Sequence, residues 1–339
     1  MEKRNILAVI PARSGSKSVK DKNIRLINGK PMMAYSIEHA LKSKYINRVI
    51  VSTDSEEYAE IAKEYGAEVP FLRPADISQD LSLDLEVFEH ALAFLKEKEG
   101  YEADIVVQLR PTYPIRNVED IDKMVELMIN DESLDSIRCI APAKEVAYKM
   151  WRENEDGTIR PLLTDIDEAY NMPRQQLPKI YYQNACIDVI RGNVITEQHS
   201  MSGNKIYGYK MDHNFDIDTE EEFLKAEEYI KLTSGGKQFV FDIDGVIAEF
   251  NPKLDYNTSG PNTRMIKIVN HLYDTGNRIV LFTARGYKTG IDWEEVTKKQ
   301  METWGVKYHE LKFGKPNADY YIDDKMLDMN TLYNFFDKE

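Results

Sequence analysis

Cationic and hydroxyl side chains cluster directly after the first apolar stretch of the chain, Ile6–Pro11. Gly15 lies within this cluster, and because it has no side chain the backbone there can approach a ligand closely. A loop of this composition after a buried strand is suited to hold phosphates, although it matches neither a Walker A sequence nor a dinucleotide-binding fingerprint. The alternative is a solvated basic turn. The candidate phosphate-binding residues are Arg13, Ser16, Lys17, Lys22 and Asn23.

Two carboxylates alternate in the sequence FDID at 215–218. Alternate residues of a strand point the same way, so Asp216 and Asp218 are expected to project together at a strand end. Paired carboxylates suit Mg²⁺, which also takes oxygen ligands from phosphates. Capping of the following helix by Asp218 or Thr219 is the structural alternative, but it leaves Asp216 without a role.

A second set of polar residues lies in the C-terminal part of the chain. Asp242 and Asp244 end one apolar run, and other polar residues follow later runs. The carboxyl ends of parallel strands meet at one edge of a sheet, so these residues can converge. Carboxylates, a hydroxyl and a lysine around Mg²⁺ suit phosphoryl transfer. The later residues are Thr283, Lys315, Asp323 and Asp324, with Lys312 as the competing lysine.

Two strand–helix series must position these residues. In the first series, strands are expected at 5–12, 48–54 and 104–109, and a closing helix at about 219–231. Apolar residues recur between them at helical spacing. This order predicts right-handed crossovers and a parallel sheet with helices on both faces, which is an α/β fold.

A polar, glycine-rich stretch at 232–237 is typical of a linker. After it, the pattern predicts strands at 239–243, 278–283 and 320–322 and a helix that ends before Gly276. We therefore expect a first domain at 1–231, a linker at 232–237 and a second domain at 238–339.

The chain of 339 residues has a net charge of −14 and the composition of a globular protein. An acidic chain is a poor partner for nucleic acid, which is bound largely through Lys and Arg. No apolar run approaches the ~20 residues that cross a bilayer, and no signal-peptide core is found. Cys139 and Cys186 lack nearby metal-ligand partners, so two buried thiols are expected. These features predict a soluble, cytoplasmic protein that binds neither nucleic acid nor membrane.

Four separated segments resemble the N-acylneuraminate cytidylyltransferase family, which activates sialic acids and related nonulosonic acids as CMP-sugars. They are IPARSGSKSVKDKNI at 10–24, INGKPMMAYSI at 27–37, VSTDSEEYAEIAKEYGA at 51–67 and FDIDTEEEF at 215–223. QLRPTYPIR at 108–116 is similar to a further family segment. The resemblance covers about 5–230 and implies a Rossmann-like nucleotidyltransferase domain.

This resemblance implies CTP as the nucleotide substrate and a dimer or tetramer of identical chains. The five candidate residues of the first loop would hold the nucleotide and its phosphates, with Arg73 and Ser82 at the nucleoside end. Asp216 and Asp218 match the metal-binding pair for Mg²⁺. The acceptor hydroxyl would attack the α-phosphorus of CTP, while Arg13 and Lys17 stabilise the leaving pyrophosphate. Asp218 would also help to remove the proton of the hydroxyl.

The family's acidic sugar acceptor would lie at Gln108, Arg174, Tyr182 and Asn184. A surface ion pair for Arg174 and a core position for Tyr182 are the structural alternatives. The sequence departs from the family at Ser14, where glycine is usual, at Tyr113, where serine is usual, and at Ala185-Cys186, where glycine is common. Most of these departures fall in the acceptor region, so other keto-sugar acids or a phosphonate remain alternative acceptors.

Residues 238–339 resemble the haloacid-dehalogenase phosphatase superfamily, with its four motifs in order. The resemblance implies that Asp242 attacks a phosphate ester and that Asp244 protonates the leaving alcohol and later activates water. Thr283 and Lys315 would hold the phosphoryl oxygens. Asp242, Asp244, Asp323 and Asp324 would form a second Mg²⁺ site. Thr283 comes only 39 positions after Asp244, which leaves little room for a cap and implies a small capless Rossmannoid domain.

Together, the two resemblances imply a bifunctional enzyme whose phosphatase acts on a sugar phosphate of the same pathway. Two other interpretations remain. The second domain can be a non-catalytic module for oligomerisation, or the chain can be a regulatory protein that binds CTP without turnover.

Overall fold

The computed structural model describes residues 4–16, 19–143, 145–211, 215–251, 255–318 and 320–336. The chain divides into two compact units, Met1–Ala226 and Glu227–Glu339. A helix at Glu220–Thr233 contains this division and includes the first two residues of the predicted linker. The domain ranges expected from the sequence stay predictions.

Within the described residues, the first unit is built on a six-stranded sheet with two short hairpins beside it. The sheet order is β10-β6-β9-β5-β1-β4, and the hairpins are β2–β3 and β7–β8. The strands are β1 Ile6–Pro11, β2 Leu26–Ile27, β3 Lys30–Pro31, β4 Arg48–Ser52, β5 Ile105–Gln108, β6 Ser136–Pro142, β7 Trp151–Glu153, β8 Ile159–Pro161, β9 Tyr181–Arg191 and β10 Ile206–Lys210.

Helices cover both faces of this sheet, as the strand–helix order predicts. Alternate residues of β1 face opposite sides, so Ala8 packs in one core and Val9 in the other. The first core holds apolar residues of α1 and α4, and the second holds those of α3 and α5. The helices are α1 Met32–Lys42, α2 Glu56–Glu64, α3 Asp84–Glu99, α4 Val118–Asn130, α5 Gly192–Thr196 and α6 Glu220–Thr233.

The sheet is not fully parallel, which corrects the prediction from the sequence. β9 runs antiparallel to both of its neighbours, β5 and β6, while the other pairs are parallel. The apolar pattern of a strand carries no information on its direction, so the reversal could not be read from periodicity. It brings Asp188 of β9 opposite Gln108 of β5 and Arg138 of β6.

A bulge interrupts the pairing of β6 with β9 where the register shifts between Arg138 and Ile140. Ala185 lies in this part of β9 with φ +58°, in the left-handed region. A residue with a Cβ atom pays roughly 1–2 kcal/mol for that conformation. Beside it, the Asn184 side-chain oxygen accepts a hydrogen bond of 3.3 Å from the backbone N–H of Cys186. Asn184 therefore helps to shape the bulge.

The second unit contains, in its described residues, a parallel three-stranded sheet of order β11-β12-β13. Apolar residues of α7 form its core with residues that follow β11, among them Ile243 and Ile247. The elements are β11 Gln238–Phe241, α7 Thr263–Asp274, β12 Arg278–Thr283, α8 Glu294–Thr303, β13 Glu310–Phe313 and α9 Met329–Phe336. The helix expected before Gly276 and the strand at 278–283 are confirmed.

Two predicted strand positions are wrong. Residues 320–322 form no strand, and Tyr320 and Ile322 are 86% and 98% exposed. The third strand is instead β13, whose residues are mixed in polarity and so carry no apolar signal. Residues 215–218 also form no strand. The Ile217 N–H donates a hydrogen bond of 3.0 Å to the Thr112 carbonyl, but no ladder of backbone hydrogen bonds extends from it among the described residues.

Cys139 and Cys186 are both free and buried, as expected from the sequence. Burial raises the pKa of each thiol, which keeps both protonated at neutral pH. None of the helices formed by the described residues is long and apolar enough to pass through a membrane.

We expect Ala185→Gly to raise the free energy of unfolding of the first unit by about 1 kcal/mol, because glycine adopts a positive φ without the steric penalty. Calorimetry should then show an increase in Tm of about 2–4 °C. Ala141→Gly on the neighbouring strand β6 is the matched control and should lower stability, since glycine weakens a regular strand. Equal losses in both variants would contradict this account of the bulge.

Candidate active site

A cavity of about 470 Å³ lies in the first unit, beside the ends of β1 and β5. Its walls come from the loops after β1 and β5, from the segment between α2 and α3 with the start of α3, and from Asp218. Lys17 lies outside the described residues. The other residues predicted to bind the nucleotide all line the cavity, namely Arg13, Ser16, Lys22, Asn23, Arg73 and Ser82.

The loop after β1 is fixed by hydrogen bonds at Ser14. Its backbone N–H and its hydroxyl both donate to the Asp54 carboxylate, at 2.8 and 2.7 Å. Burial acts to raise the pKa of Asp54, but the bonds from Ser14 outweigh it and leave this pKa below its ordinary value. The Asn23 amide donates to the Arg13 carbonyl at 2.9 Å. The loop is thus shaped before any ligand binds.

Two cations of this loop are paired with carboxylates that also line the cavity. Arg13 forms an ion pair of 2.9 Å with Asp80. The Lys22 ammonium group donates to Asp218 at 3.0 Å and to the Ile217 carbonyl at 2.8 Å. Lys22 therefore connects the first loop to the segment that carries the predicted metal pair.

The segment between α2 and α3 supplies a buried guanidinium group beside the end of β4. Arg73 is 6% exposed, its backbone N–H donates to the Thr53 carbonyl at 2.7 Å, and its side chain donates to the Ser52 carbonyl. Burial lowers the pKa of Arg73 to about 10. Further along the loop, the Ser82 hydroxyl accepts a hydrogen bond of 2.9 Å from the backbone N–H of Gln79.

The loop after β5 contributes Arg110, which the sequence analysis did not select. Its guanidinium group donates to Asp84 at 2.6 Å and to Asp188 at 3.0 Å. Burial opposes the charge of Arg110, but the two carboxylates outweigh it and raise its pKa. Arg110 and Asp84 both line the cavity. A signal was present in the sequence, because Arg110 follows the strand of 104–109 just as Arg13 follows the first strand.

Among the described residues, the lining of this cavity does not include the four predicted acceptor residues. Gln108 is buried and donates to Asp84 at 2.9 Å. Asn184 is buried in the bulge of β9, Tyr182 is half-buried on the same strand, and Arg174 is exposed on a short 3₁₀ turn. Their assignment to the acceptor stays a prediction.

The predicted metal pair has one unusual feature. An oxygen of Asp216, Oδ1, is buried and accepts no hydrogen bond from any described residue. Burial raises the pKa of Asp216, a Thr112 hydrogen bond acts against that, and the charge of Asp218 adds to it. A buried carboxylate oxygen without a donor is suited to a cation. Asp216 and Asp218 therefore fit Mg²⁺, which keeps water and phosphate oxygens as its other ligands.

In the second unit, three predicted residues meet at the carboxyl edge of the small sheet. Asp242 follows β11, Thr283 ends β12, and Lys315 comes shortly after β13. The Lys315 ammonium group forms an ion pair with the Asp242 carboxylate, and its backbone N–H donates to the Thr283 carbonyl at 3.1 Å. Lys312 instead pairs with Glu310 at 3.2 Å. Of the two candidate lysines, Lys315 is the one that reaches Asp242.

Asp244 is held by a residue that the sequence analysis did not select. The Arg285 guanidinium group donates to both oxygens of Asp244, at 2.7 Å from Nη2 and 2.9 Å from Nε. Arg285 is buried and also donates to Thr297 and Gln300. Asp244 is therefore locked in one orientation.

The second predicted Mg²⁺ site is not assembled. Asp323 and Asp324 are exposed in a segment without a strand, and one oxygen of Asp242 is taken by Lys315. No group of three or more metal-ligating side chains converges anywhere in the described part of the chain. The residues that the structure brings together in the second unit do not fit a Mg²⁺ site of the predicted composition.

Comparison with known proteins identifies a family for the first unit and the start of the second. A family model described as cytidylyltransferase matches residues 7–243. CMP-N,N′-diacetyllegionaminic acid synthase of Campylobacter jejuni is 35% identical over 67% of this chain and 95% of that protein. N-acylneuraminate cytidylyltransferase of Escherichia coli is 32% identical over 64% of this chain, and the match spans 49% of that longer protein.

The fold agrees with this comparison. A solved structure of CMP:2-keto-3-deoxy-manno-octonic acid synthetase in complex with CTP covers 67% of this chain and 98% of its own, with a TM-score of 0.51 and 17% identity. At that identity the likeness concerns the fold alone. The mixed, mostly parallel α/β sheet resembles that of cytidylyltransferases. The chain belongs to the cytidylyltransferase family, and CTP is its nucleotide substrate.

We expect Lys22→Met to raise the Kd for CTP roughly 10–100-fold, because a hydrogen bond to a charged group contributes about 1.5–3 kcal/mol. Titration calorimetry without an acceptor measures this binding directly. Lys20→Met is the matched control, since Lys20 is an exposed lysine of the same loop outside the described lining of the cavity. Equal weakening in both variants would show that only the net charge of the loop matters.

Proposed function

We propose that the first unit transfers CMP from CTP to a nonulosonic acid and releases pyrophosphate. Two observations support the acceptor class. The relatives with 35% and 32% identity are named for N,N′-diacetyllegionaminic acid and for N-acylneuraminate. The cavity is also lined by Arg110, which lies on a separate loop from Arg13 and Lys22.

In the proposed reaction, the acceptor hydroxyl attacks the α-phosphorus and the bond to the pyrophosphate oxygen breaks. Arg13 and Lys22 neutralise the charge that develops on the phosphate oxygens, and Lys17 is assigned to the same task. Because Ser14 and Asn23 fix this loop through Asp54 and the Arg13 carbonyl, little reorganisation is needed when the charge appears. We assign proton removal from the hydroxyl to Asp218, which lines the cavity.

We assign the binding of Mg²⁺ to Asp216 and Asp218. When bound, the ion would neutralise phosphate charge in the site. The support is the buried Asp216 oxygen that accepts no hydrogen bond from a described residue. Other keto-sugar acids and a phosphonate remain the alternative acceptors, and a dimer or tetramer stays a prediction.

Purified protein with CTP and Mg²⁺ should release pyrophosphate with one member of a panel of nonulosonic acids, including N-acetylneuraminic, pseudaminic and N,N′-diacetyllegionaminic acid. Mass spectrometry of the product should show the CMP-sugar. Addition of EDTA should abolish release. If the protein binds CTP but releases no pyrophosphate with any member, the acceptor lies outside this class; release with a phosphonate would identify that alternative.

For the second unit we propose a phosphatase that acts on a sugar phosphate of the same pathway. The meeting of Asp242, Thr283 and Lys315 at one sheet edge supports this proposal. The Asp242 carboxylate would attack the phosphorus as the alkoxide leaves with the electrons of the broken bond. Asp244, protonated and released from Arg285, would give that alkoxide its proton. Asp244 would later take a proton from the water that attacks the aspartyl-phosphate, and the bond between phosphorus and Asp242 then breaks to release phosphate. No step is derived through Mg²⁺, because the predicted ligands do not converge.

We expect Asp242→Asn to abolish hydrolysis of p-nitrophenyl phosphate and to leave pyrophosphate release from CTP unchanged, since the nucleophile belongs to the second unit alone. Lys315→Met should lower phosphatase activity at least 10-fold through loss of one charge-assisted contact. Lys312→Met is the matched control and should have little effect. An unmodified protein without any phosphatase activity would favour a non-catalytic second unit, and loss of both activities in Asp242→Asn would contradict two separate sites.

A further inference from the structure

Arg110 and Arg138 share one buried carboxylate, yet only one of the two faces the cavity. Asp188 is fully buried and forms ion pairs of 3.0 Å with Arg110 and 2.7 Å with Arg138. Arg138 also donates to the Met201 carbonyl and to the Ser202 hydroxyl. Among the described residues that line the cavity, Arg110 is present and Arg138 is not. Asp188 is therefore a partner of both arginines, but Arg110 also pairs with Asp84, which lines the cavity.

The guanidinium plane of Arg110 is fixed from three directions. Asp84 accepts from Nη2 at 2.6 Å, Asp188 accepts from Nη1 at 3.0 Å, and the Ala185 carbonyl of the left-handed bulge accepts from Nη1 at 3.3 Å. The side chain is 24% exposed. An arginine held in this way loses little conformational entropy when a ligand binds, and its planar fork matches a carboxylate.

The location of Arg110 beside the metal pair indicates which anion it meets. The Thr112 backbone carbonyl, two residues after Arg110, accepts from the Ile217 N–H between Asp216 and Asp218. The charge of Arg110 also acts on Asp216. In an ulosonic acid, the carboxylate and the attacking hydroxyl are bonded to the same carbon. A group that binds the carboxylate must therefore lie next to the place where the hydroxyl meets the α-phosphorus.

We propose that Arg110 binds the carboxylate of the sugar-acid acceptor and so selects acidic over neutral sugars. The proposal rests on the proposed transfer of CMP to a nonulosonic acid. We assign the phosphates of CTP to Arg13 and Lys22, which line the same cavity from another loop. The nucleotide is therefore the competing source of the anion. Arg110 is then a binding residue for the acceptor and does not take part in proton transfer.

The test compares a sugar acid with its methyl ester, which keeps the hydroxyl and lacks the negative charge. The probe is N,N′-diacetyllegionaminic acid, assayed by pyrophosphate release. In the unmodified protein, kcat/KM for the acid should exceed that for the ester about 10–100-fold. In Arg110→Gln this preference should fall to about 3-fold or less, while KM for CTP stays within about 2-fold.

Arg138→Gln is the matched control, because it removes the other arginine of Asp188 and should keep the preference of the unmodified protein. If Arg110→Gln fails to fold, Arg110→Lys is used in its place, because it retains a positive charge beside Asp188. This variant should show a partial preference for the acid over the ester. A full preference in the folded Arg110 variants would overturn the proposal, as would a rise in KM for CTP with the preference intact. No pyrophosphate release by unmodified protein with any sugar acid would overturn the proposed function as well.

Discussion

The cavity depends on the parallel alignment of β4, β1 and β5, because parallel strands end at the same edge of a sheet. The loops after β1 and β5 each supply one arginine, and the segment between α2 and α3 supplies a third, whose side chain donates to the Ser52 carbonyl at the end of β4. Apolar packing on both faces holds the strands in register, and this packing therefore fixes where the charged loops at the strand ends lie. The arginines are Arg13 after β1, Arg110 after β5, and Arg73, which follows α2 and is hydrogen-bonded to the end of β4.

The reversed strand β9 adds something that a fully parallel sheet would lack. It carries Asp188 into the interior, between β5 and β6, where two guanidinium groups compensate its charge. Removal of one partner from such a buried charge is costly. Because of this cost in free energy, Asp188 and Arg110 hold each other in place. The left-handed conformation at Ala185 also brings a backbone carbonyl to Arg110.

Much of the fold could be predicted from the sequence, because its signal lies in runs of apolar residues. β1, β4 and β12 are such runs, whereas the residues of β13 are of mixed polarity and were missed in favour of the apolar but exposed 320–322. Residues of the first loop were found because they are neighbours in the chain. Arg110 was not selected, although it follows a predicted strand. Its carboxylate partners lie 26 and 78 residues away in the sequence, and only the folded sheet brings them to it.

The cavity of the first unit is lined by carboxylates that serve as counterions for its own cations. Three of its cations are already paired with carboxylates that line the same cavity. The phosphates of a nucleotide therefore replace these carboxylates as partners of the cations, and they do not displace salt ions from solution. Binding of this kind releases few ions to solution, and its dependence on ionic strength is correspondingly shallow. Affinity is then governed by how readily those carboxylates give up their partners. The three pairs are Arg13–Asp80, Lys22–Asp218 and Arg110–Asp84.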